Sequence, residues 1–65
     1  LEIKTWHIRD KKGVSLEKLS EMTGISKSTL NNIENGKVSP KIIQLELIAK
    51  ALNVHINDLF ESEYK

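Results

Sequence analysis

Apolar residues recur three and four positions apart along most of this chain, interrupted at a few fixed points. Leu16 and Leu19 share a face with Met22; Leu30 pairs with Ile33; Ile42, Leu45, Ile48, Ala49 and Leu52 form a longer stripe. That spacing is the 3.6-residue period of helices packed on one side. No alternation of Val, Ile or Thr is long enough to propose a strand. The interruptions are glycine and proline at Gly13, Gly24, Gly36 and Pro40, each where a helix should stop or start.

The pattern predicts five short helices. The first covers about residues 2–11, ends in Lys11 and Lys12, where cations favour the helix dipole, and is stopped by Gly13. The second starts after Ser15, a residue whose hydroxyl suits the N-cap, and stops before Gly24. The third is capped by Ser26, runs to about Asn35 and is ended by Gly36. Ser39-Pro40 opens the fourth, with proline at the first helical position, where its missing N–H costs nothing. A short fifth helix follows Val54, with Leu59 and Phe60 turned inward. The predicted class is all-α, a compact five-helix domain over residues 1–65. Its core is expected to hold Ile8, Leu19, Ile25, Leu30, Ile33, Leu45, Ile48, Ala49, Leu52, Val54 and Leu59.

Residues 16–35 fit a helix-turn-helix, two short helices joined by a tight turn that often holds glycine. Ser20 is the small residue expected where the two helices face each other, Gly24 suits the turn, and Leu19, Ile25, Leu30 and Ile33 fill the angle between them.

Here the sequence resembles the Cro/repressor-type (XRE-like) helix-turn-helix DNA-binding domains of prokaryotes and phage. The matching residues are Arg9, Gly13-Val14-Ser15, Leu19-Ser20, Gly24-Ile25-Ser26, Leu30 and Ile33-Glu34-Asn35-Gly36. They continue with Pro40, Leu45, Ile48-Ala49, Leu52, Val54 and Leu59-Phe60, so the resemblance covers nearly the whole chain. It implies a lambda-repressor-like fold and an ion pair between Arg9 and Glu34. The chain departs from the family where a glutamine often follows the cap of the second helix: Leu16 stands there. Thr5 replaces the usual apolar residue of the first helix, and Trp6 lies off the expected stripe.

On a helical wheel of residues 27–35, Leu30 and Ile33 share the inward side, and Ser28, Asn31, Asn32 and Asn35 lie opposite, with Lys27 at the N-terminal edge. A face that only solvates a helix would more naturally use Glu, Lys and Gln, because Asn and Ser are mediocre helix formers. The N-terminal part of the second helix of a helix-turn-helix meets base edges in the major groove. Asparagine can pair bidentately with adenine, lysine can reach guanine, and serine can donate or accept. Lys27, Ser28, Asn31 and Asn32 are therefore the expected base contacts. Ser26, Thr29, Asn35 and Lys37 are the expected backbone contacts, with Lys12 and Lys41 behind them.

Charge sharpens this reading slightly. Residues 1–41 carry eight Lys/Arg against five Asp/Glu, a net of +3, whereas residues 42–65 carry two against four, a net of −2. One basic half suits a polyanion. The sequence contains no cysteine, so disulfides and thiolate metal sites are excluded, and His7 and His55 lie too far apart in sequence to suggest a metal site. No catalytic constellation or phosphate loop is visible, no apolar run approaches the ~20 residues of a membrane span, and no cofactor is expected. The expected protein is a small soluble cytoplasmic DNA-binding regulator, a repressor that binds a palindromic operator as a homodimer through its C-terminal part. Ile43 and Leu47, with Phe60 and Tyr64, are the candidate apolar patch. The alternatives are the DNA-binding antitoxin of a toxin–antitoxin pair, or a helical module for RNA or purely structural use.

Overall fold

The computed structural model describes residues 1–65. In chain order it contains β1 (Glu2–Ile3), α1 (Thr5–Lys11), α2 (Leu16–Thr23), α3 (Lys27–Glu34), α4 (Ile42–Leu52), a 3₁₀ turn (Ile56–Leu59) and β2 (Phe60–Glu61). There are thus four α-helices and a small antiparallel ribbon, not five helices. The two strands pair Glu2 with Glu61 and Ile3 with Phe60, and the Lys4 amide donates to the Leu59 carbonyl at 2.7 Å.

The ribbon explains both departures from the sequence pattern. Residues 2 and 3 read locally as the start of the first helix. Their pairing partner lies at the other end of the chain, so no local periodicity reveals it. Residues 56–59 form one 3₁₀ turn, entered where the Asp58 carboxylate accepts from the His55 amide at 3.0 Å. The chain must then extend at Phe60 to reach β1, which leaves no room for a fifth α-helix. Phe60 is accordingly half-buried in a strand.

The core lies between α2, α3 and α4 and is closed by Leu59. Leu19, Ile33, Ile48 and Leu59 are fully buried, and Ile25, Leu30, Leu45, Ala49 and Leu52 nearly so. Ile8 and Val54 sit at its margin, half-buried. Met22 and Ile42 fall outside it: Met22 is about half exposed and Ile42 mostly exposed. Thr23, off the apolar stripe of α2, is buried instead of Met22. Its hydroxyl donates to the Leu19 carbonyl at 2.8 Å and accepts from the Ile25 amide at 3.1 Å, so burying it leaves no orphan polar group.

Local chemistry sets the helix ends. The Ser15 hydroxyl accepts from the Lys18 amide at 3.0 Å and starts α2; Ser26 does the same for α3 through the Thr29 amide at 3.1 Å. α4 begins later than the Ser-Pro pair suggests. Lys41 is its extended cap, and the Gln44 side chain reaches back to accept from the Lys41 amide at 2.8 Å. Ser39 and Pro40 shape the approach instead. Gly24 carries α2 into the turn at φ 76°, a backbone state that side chains with a Cβ rarely adopt.

Candidate nucleic-acid interface

The helix-turn-helix is α2, the turn at Gly24–Ser26, and α3. The Ser20 hydroxyl donates to the Ile25 carbonyl at 2.6 Å, so the small residue between the helices also ties down the turn. Leu30 and Ile33 anchor α3 to the core. The opposite face turns to solvent. Lys27, Ser28, Asn31 and Asn35 are exposed, as are Ser26 and Lys37, whereas Asn32 and Thr29 are half-buried at the flank.

The polar side chains on this face divide into two groups. Ser26 and Thr29 are engaged with each other: the Ser26 hydroxyl donates to Thr29 Oγ1 at 2.9 Å while accepting from the Thr29 amide. Ser28, Asn31, Asn32 and Asn35 make no side-chain hydrogen bond within the chain. Their donors and acceptors have no partner in the chain; Ser28, Asn31 and Asn35 are open to solvent and Asn32 is half-buried beside them. Lys27 carries the helix's first positive charge and lies 3.6 Å from the Glu17 carboxylate on α2.

The C-terminal end of α3 is held by a double closure. The Gly36 amide donates to the Ile33 carbonyl at 3.1 Å and the Lys37 amide to the Asn32 carbonyl at 2.9 Å, with Gly36 in the left-handed conformation at φ 72°. This fixes the backbone of Lys37 beside the exposed face and leaves its ammonium unpaired.

Behind the face, Arg9 of α1 grips Glu34, the last residue of α3. Arg9 Nε donates to one carboxylate oxygen at 2.9 Å and Nη2 to the other at 3.2 Å. Nη1 donates to the Val14 carbonyl at 2.9 Å, so one guanidinium joins α1, the α1–α2 connection and α3. The hydrogen bond to Glu34 raises the Arg9 pKa; partial burial opposes this, and the negative charges of Glu34 and Asp10 reinforce it. Arg9 and Glu34 are therefore neutralised in place and add no free charge to the interface.

Of the apolar side chains expected to form one patch, Ile43, Leu47 and Tyr64 are exposed and Phe60 is half-buried. Phe60 lines a groove of about 420 Å³ with Leu1, Ile3, Pro40, Ile42 and Ile56, and Ile43, Leu47 and Tyr64 do not line it. No cluster of potential metal ligands is present, and no helix is long and apolar enough to cross a membrane. The Glu17–Lys27 contact escaped sequence reasoning. Its one trace in the sequence is a pair of opposite charges near the starts of consecutive helices, and only the fold brings them together.

Two short helices joined by a glycine turn, the second presenting a polar face from an apolar platform, define the helix-turn-helix class. The helix-turn-helix family profile matches residues 7–59. The chain belongs to that family, in its XRE-type branch. It is 45% identical over 47 residues to the HTH-type transcriptional regulator SutR of Escherichia coli, covering 72% of this chain and 26% of the relative. It is 38% identical over 53 residues to an uncharacterised HTH-type transcriptional regulator of Methanothermobacter thermautotrophicus, covering 80% of this chain and 77% of that one. Among solved structures, the N-terminal DNA-binding domain of SinR from Bacillus subtilis superposes with a TM-score of 0.81 at 32% identity, covering 94% of this chain and 90% of that one. The restriction-modification controller protein C.AhdI from Aeromonas hydrophila superposes at 0.82 with 27% identity, covering 86% and 85%. The chain spans about a quarter to a third of the length of the SutR and PuuR regulators of E. coli, and about half of full-length SinR.

Proposed function

We propose that this chain reads double-stranded DNA through α3 and acts in transcriptional regulation as a repressor occupying its operator. The observation that carries the reading is the face of α3: Ser28, Asn31, Asn32 and Asn35 have unspent hydrogen-bonding capacity and sit on a helix anchored from behind. Lys27, Ser28, Asn31 and Asn32 read base edges in the major groove. Ser26, Thr29, Asn35 and Lys37 hold the phosphates on either side. The Ser26–Thr29 hydroxyl pair suits a phosphate, because both hydroxyls and the open amides at the start of α3 lie together. The SinR domain, named for DNA binding, and the regulator names of the relatives support the same reading.

The protein works in the cytoplasm, on the nucleoid, as a homodimer on a palindromic site. The dimer is supported by the exposed apolar residues Ile42 and Ile43 of α4 and by the groove at Phe60, none of which belongs to α3. Selection from a pool of random duplex DNA tests the proposal. The expected product is an inverted repeat whose half-sites lie about one helical turn, ~34 Å, apart. A pool that returns no motif would remove the sequence-specific reading. A motif without symmetry, bound by a protein that sediments as a monomer, would remove the dimer.

A further inference from the structure

Lys27 opens the recognition helix, and its nearest anionic neighbour is Glu17 at the start of α2, at 3.6 Å. Both side chains are mostly exposed, so the pair holds nothing in the fold together. It does set a competition. Lys27 is the one cation within α3, and the carboxylate that neutralises it stands beside the helix end that approaches DNA. A nucleic acid that takes Lys27 must displace Glu17.

We infer that Glu17 is a specificity-determining residue of this interface: it occupies Lys27 against indiscriminate phosphate binding and releases it only where a base edge rewards the exchange. The inference rests on the DNA-reading role of α3. On a mixed-sequence duplex nothing at the bases compensates for the broken pair, so Lys27 stays with Glu17 and contributes no phosphate contact. On the preferred duplex Lys27 turns to a guanine edge, where O6 and N7 accept from its ammonium. Glu17 thus weakens the non-specific complex more than the specific one and widens the ratio between them.

Equilibrium binding of the whole chain to two duplexes tests this. One duplex has mixed sequence; the other is the tightest one recovered by selection. Glu17→Gln keeps the size of the side chain and removes its charge. It is expected to tighten binding to the mixed duplex by about three- to tenfold and to steepen the salt dependence there by about one unit, the signature of one added phosphate contact. The gain on the selected duplex is expected to be smaller, so the specificity ratio falls. In a Lys27→Gln background the same Glu17→Gln change is expected to shift binding by less than about twofold, because the competition has lost its object.

Equal gains on both duplexes, or a gain that survives in the Lys27→Gln background, would show plain charge repulsion and overturn the inference. No change on either duplex, from a protein that binds them, would overturn it while leaving the DNA-reading role intact. Failure of the unaltered chain to bind any duplex would remove that role and this inference with it. Matching melting temperatures of Glu17→Gln and the unaltered chain exclude a folding effect.

Discussion

Two ion pairs stand at the two ends of the recognition helix, and they do different work. At the C-terminal end, Arg9 meets Glu34 at 2.9 Å with side chains only 18% and 7% exposed. At the N-terminal end, Lys27 meets Glu17 at 3.6 Å with side chains 58% and 78% exposed. The charges are the same; the surroundings are not. Water screens the outer pair and competes for both partners, so it contributes at most about 1 kcal/mol and exchanges readily. The inner pair has shed most of its water and depends on bidentate geometry and a third bond to Val14 for compensation. The helix is therefore clamped where the fold needs it and left adjustable where DNA would arrive.

The strongest way to break this contrast is to orphan one inner charge. Glu34→Ala leaves the Arg9 guanidinium partly buried without its carboxylate, and the expected loss of stability is about 3–5 kcal/mol. Thermal unfolding measures it. A melting temperature unchanged within error would mean that the clamp is as dispensable as the outer pair. Removing both members, Arg9→Met with Glu34→Leu, should cost less than Glu34→Ala alone, because no charge is then left unpaired.

The exposed face of the same helix should respond in binding and not in stability. Asn32→Ala is expected to cost about 1–3 kcal/mol at the preferred site and to relax the base preference there. Lys37→Ala should weaken binding to all duplexes alike and flatten the salt dependence by about one unit. If the two variants weakened every duplex equally, Asn32 would be positioning the helix and not reading it.

Those two faces of α3 were legible to different degrees, and the reason is the range of the interactions. The inward face was readable because Leu30 and Ile33 declare themselves by period, and the caps at Ser15 and Ser26 bond within three residues. The ribbon of Glu2–Ile3 with Phe60–Glu61 was not, because its hydrogen bonds join the ends of the chain. Thr23 was hidden for a different reason: its bonds are local, but a polar residue does not register in an apolar pattern, and its hydroxyl becomes acceptable in the core only through the turn geometry at Ile25. Ser-Pro looked like a helix start because it usually is one, but the helix is capped two residues later, at Lys41, by the Gln44 side chain. The candidate reader residues were visible only as what the fold left unused.

Thr5 shows where the platform beneath the clamp is imperfect. It lies one helical turn before Arg9, is 1% exposed, and its hydroxyl has no hydrogen-bond partner. Burying an unpaired hydroxyl is unfavourable, and valine has the same shape without it. Thr5→Val is therefore expected to stabilise the fold by about 1 kcal/mol, read as a higher melting temperature, with DNA binding unchanged. A lower melting temperature would mean that the hydroxyl meets a partner in solution. A change in binding would mean that α1 transmits strain through Arg9 to α3, which would weaken the separation between clamp and reading face.

The smallest expected effect comes from a third set of charges, at the chain ends, and it extends the rule about exposure. Glu61 lies beside Lys65 and accepts from Lys4, each at 3.5 Å, on the surface of the ribbon. The charge of Lys65, and then the hydrogen bond from Lys4, lower its pKa below the ordinary 4.5. A carboxylate whose folded pKa is depressed stabilises the fold above its ordinary value, and that contribution fades as pH falls through the depressed one. The gap in melting temperature between the unaltered chain and Glu61→Gln should therefore be small at neutral pH and should close in acid. If the Glu61→Gln gap persisted unchanged to about pH 3, the ribbon charges would be contributing through something other than ionisation.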